Sequence, residues 1–156
     1  MNGSTKKPKY EIPTMQEIEK LDKNGYKVIS TFSGCGGSSL GYKLAGYKVL
    51  WANEFIKAAG ETYKANHKDT ILNQKDIRDL TPEDILKEAG LKKGELDIFD
   101  GSPPCANFSV SGKREKHWGK VKEYSDTKQR SDDLFLEYIR ILRGIKPKVF
   151  VAENVS

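Results

Sequence analysis

A chain of 156 residues, 37% hydrophobic and 31% charged, has room for one domain with a buried core, and its composition is that of a soluble globular protein. No apolar run approaches membrane-spanning length, and the polar, lysine-bearing start Met1 to Lys9 lacks the apolar stretch of a secretory signal, so no membrane partner and a cytoplasmic location are expected. The net charge of +5, from 27 basic against 22 acidic residues, is too modest to identify a partner by itself, although its distribution along the chain is uneven.

Residues 1–24 read as an N-terminal tail with room for one short helix, and residues 25–156 as the folded unit. Lys27 to Phe32 is a β-rich run that breaks at Ser33-Gly34-Cys35-Gly36-Gly37 and resumes as a helical pattern from Ser38 through Ala45. Tyr47 to Ala52 predicts a second strand, ending at Asn53-Glu54. Ile56 to Asn66 predicts a helix, and Thr70 to Asn73 a short third strand before Asp76. Thr81-Pro82-Glu83-Asp84 is a helix start, with threonine at the N-cap, proline at the first helical position and acids in the first turn. That helix is expected to stop near Gly90. Leu96 to Asp100 is the fourth strand. Leu134, Tyr138, Ile141, Leu142 and Ile145 mark one apolar face of a helix starting near Ser131, and Lys148 to Ala152 is the fifth strand. Strands alternating with helices predict an α/β fold: an open, mostly parallel, Rossmann-like sheet with helices on both faces.

Three features carry chemistry. Ser102-Pro103-Pro104-Cys105 places a thiol on a stiff loop at a strand end, because each proline fixes its own φ and restricts the residue before it. A thiol held this way is a candidate nucleophile. The other cysteine, Cys35, lies far away in the glycine turn, so a CxxC metal or redox pair is absent, no metal is expected, and both thiols are read as free. The glycine turn itself lets a ligand approach bare backbone near a helix N-terminus. Its spacing departs from the dinucleotide fingerprint, with Ser39 where a third glycine would fall. Glu54, about 20 residues past Gly34, stands where a carboxylate meets ribose hydroxyls in nucleoside-binding sheets. Asp76 is placed to accept from an adenine amino group, and together these acids suggest an adenosyl ligand. Finally, Lys113, Arg114, Lys116, Lys120, Lys122, Lys128 and Arg130, interleaved with His117, Trp118 and Tyr124, form the best candidate for contact with a phosphate backbone.

These residues carry a resemblance. Phe32-Ser33-Gly34-Cys35-Gly36-Gly37-Ser38-Ser39-Leu40-Gly41 resembles the first motif of the DNA (cytosine-5) methyltransferases. Gly101-Ser102-Pro103-Pro104-Cys105-Ala106-Asn107-Phe108-Ser109 resembles their nucleophile motif, and Ala152-Glu153-Asn154-Val155 their Glu-Asn-Val motif. The resemblance runs from about Val28 to Ser156 and makes residues 25–156 part of a catalytic domain without a target-recognition domain. It implies S-adenosylmethionine bound by Phe32, Gly34, Gly36, Gly37, Glu54, Asp76, Ile77 and Pro104. Cys105 becomes the catalytic nucleophile that adds to cytosine carbon-6. Glu153 becomes the group that relieves charge at N3, for which a raised pKa in a desolvated pocket is expected. The implied partner is double-stranded DNA with a flipped cytosine, touched by Ser109, Ser111, Lys113, Arg114 and Arg130, the Ser109 to Arg130 stretch acting as a lid. Methylation of tRNA by a member of the same family, and a non-catalytic module that keeps the fold, are the alternatives. The family continues beyond the Glu-Asn-Val motif, so the polypeptide alone is expected to methylate poorly, and to associate with a missing C-terminal half or with itself through the open side of the fifth strand.

Overall fold

The computed structural model describes residues 13–104, 122–124, 127–129 and 133–153. Five strands form one parallel sheet: β1 (Lys27–Thr31), β2 (Lys48–Asn53), β3 (Ile71–Asn73), β4 (Ile98–Gly101) and, numbered after the short pair below, β7 (Val149–Ala152). Their spatial order is β3-β2-β1-β4-β7, so the chain starts in the middle, builds outward on one side and returns to build on the other. That reversal between β1 and β4 opens a crevice at the carboxyl ends of the strands, where open α/β sheets bind ligands.

Connecting helices are α2 (Gly37–Leu44), α3 (Lys57–Asn66), α4 (Pro82–Ala89) and α5 (Leu134–Ile145), preceded by the short α1 (Met15–Glu19). The expected helix start at Thr81 is present, its side chain accepting from the Asp84 amide at 3.1 Å, with Gly90 left-handed at the other end (φ 69°). Each predicted strand and helix is found, displaced by no more than a few residues. A 3-10 turn at Ile77–Asp79 was not anticipated from sequence. Neither was the antiparallel pair β5 (Lys122–Tyr124) and β6 (Thr127–Gln129), which falls inside the stretch expected to act as a lid; Lys-Glu-Tyr against Thr-Lys-Gln has no apolar alternation to announce it.

Register decides what each face of the sheet holds. Ile29, Trp51 and Phe99 lie side by side and pack into one cluster with Ile85 and Leu86 of α4 and Leu134, Tyr138, Ile141 and Ile145 of α5. Ser30 and Asp100, each one residue along, point to the opposite face, where Asp100 meets Ser38 and Tyr42 of α2. The sheet is therefore covered by helices on both faces, as the alternation of elements requires. In β2 the pairing slips by one residue, with Val28 opposite Val49 but Ile29 opposite Trp51, so Leu50 is an extra residue in the strand.

One edge is bare. Val149, Phe150 and Val151 of β7 are 54%, 57% and 42% exposed, although Phe150 stands in register with the buried Phe99. Among the described residues no helix is long and apolar enough to cross a membrane.

Candidate functional site

The crevice at the strand ends encloses about 560 Å3 counted out to its open mouth, and is lined by Phe32, Asn53, Glu54, Phe55, Ile56, Ile77, Ser102 and Pro104. Four residues expected from sequence are among its walls: Phe32, Glu54, Ile77 and Pro104. Asn53, Phe55, Ile56 and Ser102 were not anticipated, although an apolar Phe55-Ile56 pair directly after a strand-end acid is a legible sign of a wall.

Phe32 opens the glycine turn with φ 53°, a left-handed conformation that costs a bulky side chain roughly 1–3 kcal/mol. Gly34 (φ 53°) and Gly36 (φ 95°) continue it into α2. A Cβ added at Gly34 or Gly37 would meet nothing within 4 Å, so the backbone there borders open space. Among the described residues no side chain caps the start of α2, and uncapped first-turn amides can donate to a ligand oxygen.

Glu54 is fixed by two backbone amides: Gly34 donates to its Oε2 at 2.8 Å and Ile56 to its Oε1 at 2.7 Å. The carboxylate thereby ties the glycine turn of β1 to the loop after β2. Asn53 extends the tie, donating through Nδ2 to the carbonyls of Asn73 (3.1 Å) and Lys75 (2.9 Å). Asp76 caps the 3-10 turn and accepts from the Arg78 amide at 3.0 Å, while the Arg78 guanidinium bridges it to Asp133 at the start of α5. Of this pair, the side chain that lines the crevice is Ile77 rather than Asp76.

His67, 2% exposed, supports the turn from behind: its Nε2 donates to the Gly36 carbonyl at 3.1 Å, while Nδ1 is buried with no partner among the described residues. Burial, then the nearby Lys43, pushes the imidazole below its usual pKa, with the Lys43 partner Asp69 opposing. A group that refuses in the fold a proton it accepts when unfolded withdraws stability as pH falls below its free value of about 6.5. The thermal midpoint is therefore expected to drop between about pH 7 and about pH 5, and His67→Gln, whose amide can still donate to Gly36, to flatten that drop in a pH series of melts.

Glu153 ends β7 beside β4, where its amide donates to the Gly101 carbonyl at 3.4 Å and its Oε2 accepts from Ser102 Oγ at 3.5 Å. Its expected place at the strand end is found, but the expected desolvation is not: Glu153 is exposed, because it closes an edge strand over which no described residue packs. Cys105, Ser109, Ser111, Lys113, Arg114 and Arg130 lie outside the described residues, and the His/Cys/Asp/Glu grouping of a metal site is absent among those described.

Comparison with known proteins agrees with this geometry. A family model described as C-5 cytosine-specific DNA methylase matches residues 26–156. The chain is 39% identical to Type II methyltransferase M.NgoPII of Neisseria gonorrhoeae over 142 residues, covering 91% of this chain and 37% of that protein. It is 40% identical to M.FnuDI of Fusobacterium nucleatum over 130 residues, covering 83% and 32%. The solved structure of a Spodoptera frugiperda DNMT2 mutant superposes with a TM-score of 0.58 at 28% identity, over 85% of this chain and 36% of that one. The chain thus spans about a third of the length of these relatives.

Proposed function

The chain belongs to the C-5 cytosine-specific DNA methylase family, and from that membership we propose that its protein transfers a methyl group from S-adenosylmethionine to carbon-5 of cytosine in double-stranded DNA, with Cys105 as nucleophile. The observation that carries this reading is the crevice, whose wall ends at Pro104, one residue before that thiol.

The described residues fit the donor. Phe32, Phe55, Ile56 and Ile77 offer an apolar slot for a flat base, Glu54 retains acceptor capacity for ribose hydroxyls, and the open space over Gly34 and Gly37 admits a chain against bare backbone. When bound, the donor supplies an electrophilic methyl group on a sulfonium. Carbon-5 of cytosine is too weak a nucleophile to use it unaided. Addition of the Cys105 thiolate to carbon-6 makes carbon-5 enamine-like, and loss of the carbon-5 proton later expels the thiolate and restores the ring. Glu153, beside Ser102 at the same strand ends, is the group assigned to N3. A cytosine stacked in a duplex must be flipped to reach these groups. Ser109, Ser111, Lys113, Arg114 and Arg130 are assigned to the DNA because their charge and polarity suit a phosphate backbone.

The test is covalent trapping by the complete gene product on a duplex carrying 5-fluorocytosine, where the fluorine blocks the final elimination. A denaturation-resistant protein–DNA complex that requires S-adenosylmethionine and disappears in Cys105→Ser is expected. Absence of the complex refutes the reading, and a complex formed on tRNA but not on DNA transfers it to the other nucleic acid.

A further inference from the structure

The chemistry above makes no use of the most enclosed acid near the crevice. Asp100, in β4, is 5% exposed and has no cation within ion-pair distance among the described residues. Three hydroxyls hold it instead: Ser30 Oγ at 3.0 Å and Ser38 Oγ at 2.8 Å donate to Oδ2, and Tyr42 OH at 3.2 Å donates to Oδ1. Burial, with the charge of Asp100 beside it, pushes the Tyr42 phenol up to about 12.

What these hydroxyls belong to gives the cluster its meaning. Ser38 stands in the first turn of α2, directly after the glycines. Ser33, directly before them, donates to the Ser30 carbonyl at 3.0 Å and lies 3.1 Å from Ser30 Oγ, which itself donates to Asp100. Both ends of the glycine turn are thus tied to one carboxylate, and that carboxylate sits on the strand that runs on through Gly101 into Ser102 and Pro104. An enclosed acid without a cation loses hydration that three neutral hydroxyls only partly return, so an apolar residue packed here would hold the fold at lower cost. The return on that cost is geometry.

We propose that Asp100 is a positioning residue for the donor site: it fixes the glycine turn after β1 against the end of β4, and so sets the spacing between Phe32 on one wall and Ser102 and Pro104 on the other. The proposal rests on the donor reading above. It requires that loss of the network weaken donor binding in protein that is still folded, and that an isosteric side chain able to keep the network restore it.

The experiment is calorimetric titration of the complete protein with S-adenosylmethionine and S-adenosylhomocysteine, in the cold, on variants whose circular dichroism shows them folded. Asp100→Ala is expected to weaken both ligands by about tenfold, Ser38→Ala and Tyr42→Phe by about threefold, the size of lost hydrogen bonds. Asp100→Asn keeps an acceptor and presents an amide to hydroxyls that can turn to accept, and is expected to recover most of the loss. Ile85→Val, in the core on the other face of the sheet, lowers the unfolding midpoint without moving either Kd and serves as the control for stability alone. Unchanged Kd values in folded Asp100→Ala overturn the proposal, as does an Asn variant as weak as the Ala one. If Asp100→Ala does not fold, the Ser38 and Tyr42 variants decide by the same criterion. Failure of the unaltered protein to bind either ligand overturns the donor reading and this role together, whereas normal binding by every variant overturns this role alone.

Discussion

Gly36→Ala is expected to remove donor binding and to cost about 3 kcal/mol of stability, from a positive-φ penalty of about 1–2 kcal/mol and an overpacking penalty of about 1–3 kcal/mol. The backbone at Gly36 has φ 95°, and an added Cβ would lie 2.2 Å from His67 Nε2 and 2.5 Å from its Cδ2, with the Tyr63 ring 3.0 Å away. Neither neighbour can retreat. Tyr63 is fully buried and donates to Ser39 Oγ at 2.8 Å, while His67 is held between that ring, 4.5 Å away by centroids, and the Gly36 carbonyl. The turn must move instead, toward the crevice, and the His67 hydrogen bond goes with it. Urea unfolding gives the stability loss and calorimetry the binding loss. An alanine variant that binds S-adenosylhomocysteine like the unaltered protein refutes the argument. Gly34→Ala is the informative contrast: its Cβ meets nothing within 4 Å, so strain from its φ of 53° is all it adds to the fold.

Tyr138→Ala is expected to be the most destabilising single truncation in the core on the α5 side, at about 3–5 kcal/mol. The ring is fully buried, stacks on Phe99 at 5.0 Å between centroids, and fills the space that makes Gly101 obligatory, since a Cβ there would lie 2.6 Å from Tyr138 Cε2 and 2.5 Å from Thr31 Oγ1. Its hydroxyl donates to the Val151 carbonyl at 2.9 Å. Truncation leaves a cavity and strips β7 of its link to α5, at the level where Ser102 meets Glu153. Tyr138→Phe removes only the hydrogen bond and is expected to cost about 1 kcal/mol. Chemical denaturation of the two variants separates the contributions, and an alanine loss as small as that of phenylalanine would show that the ring is not what fills the site.

Most of the architecture was legible because periodicity and punctuation agree in this chain. Thr81-Pro82 starts a helix and Gly90 stops it; the apolar face of Leu134, Tyr138, Ile141 and Ile145 is the buried face of α5. The strand ends were legible too, since the glycine turn and the Pro-Pro pair each interrupt a β-rich run, and both ends meet in the crevice. Less visible was what the strand faces do. Asp100 sits in an apolar run where sequence shows an acid but not which of its neighbours in space are hydroxyls. His67 carries no signal beyond its type, because its partner is a carbonyl 31 positions away. Asp76 is expected at the ligand, but its pairing with Arg78 two residues on carries no signal of its own in the sequence. Exposure of Glu153 could not be read either, because solvent access at a strand end depends on which elements lie across it.

The extra residue in β2 is what lets that strand serve two masters. In an uninterrupted strand Val49, Trp51 and Asn53 would share one face. With Leu50 inserted, Val49 keeps company with Val28 on the α2 side while Trp51 joins Ile29 on the α4 side, where its indole donates to Glu88 at 2.7 Å. Everything after the slip is rotated by half a pleat relative to everything before it. The angle at which Glu54 leaves the sheet toward Gly34 is therefore dictated four positions upstream, by a leucine that contributes nothing to the crevice lining, and shortening the chain there by one position would turn the acid's backbone away without altering a single residue that a ligand would touch.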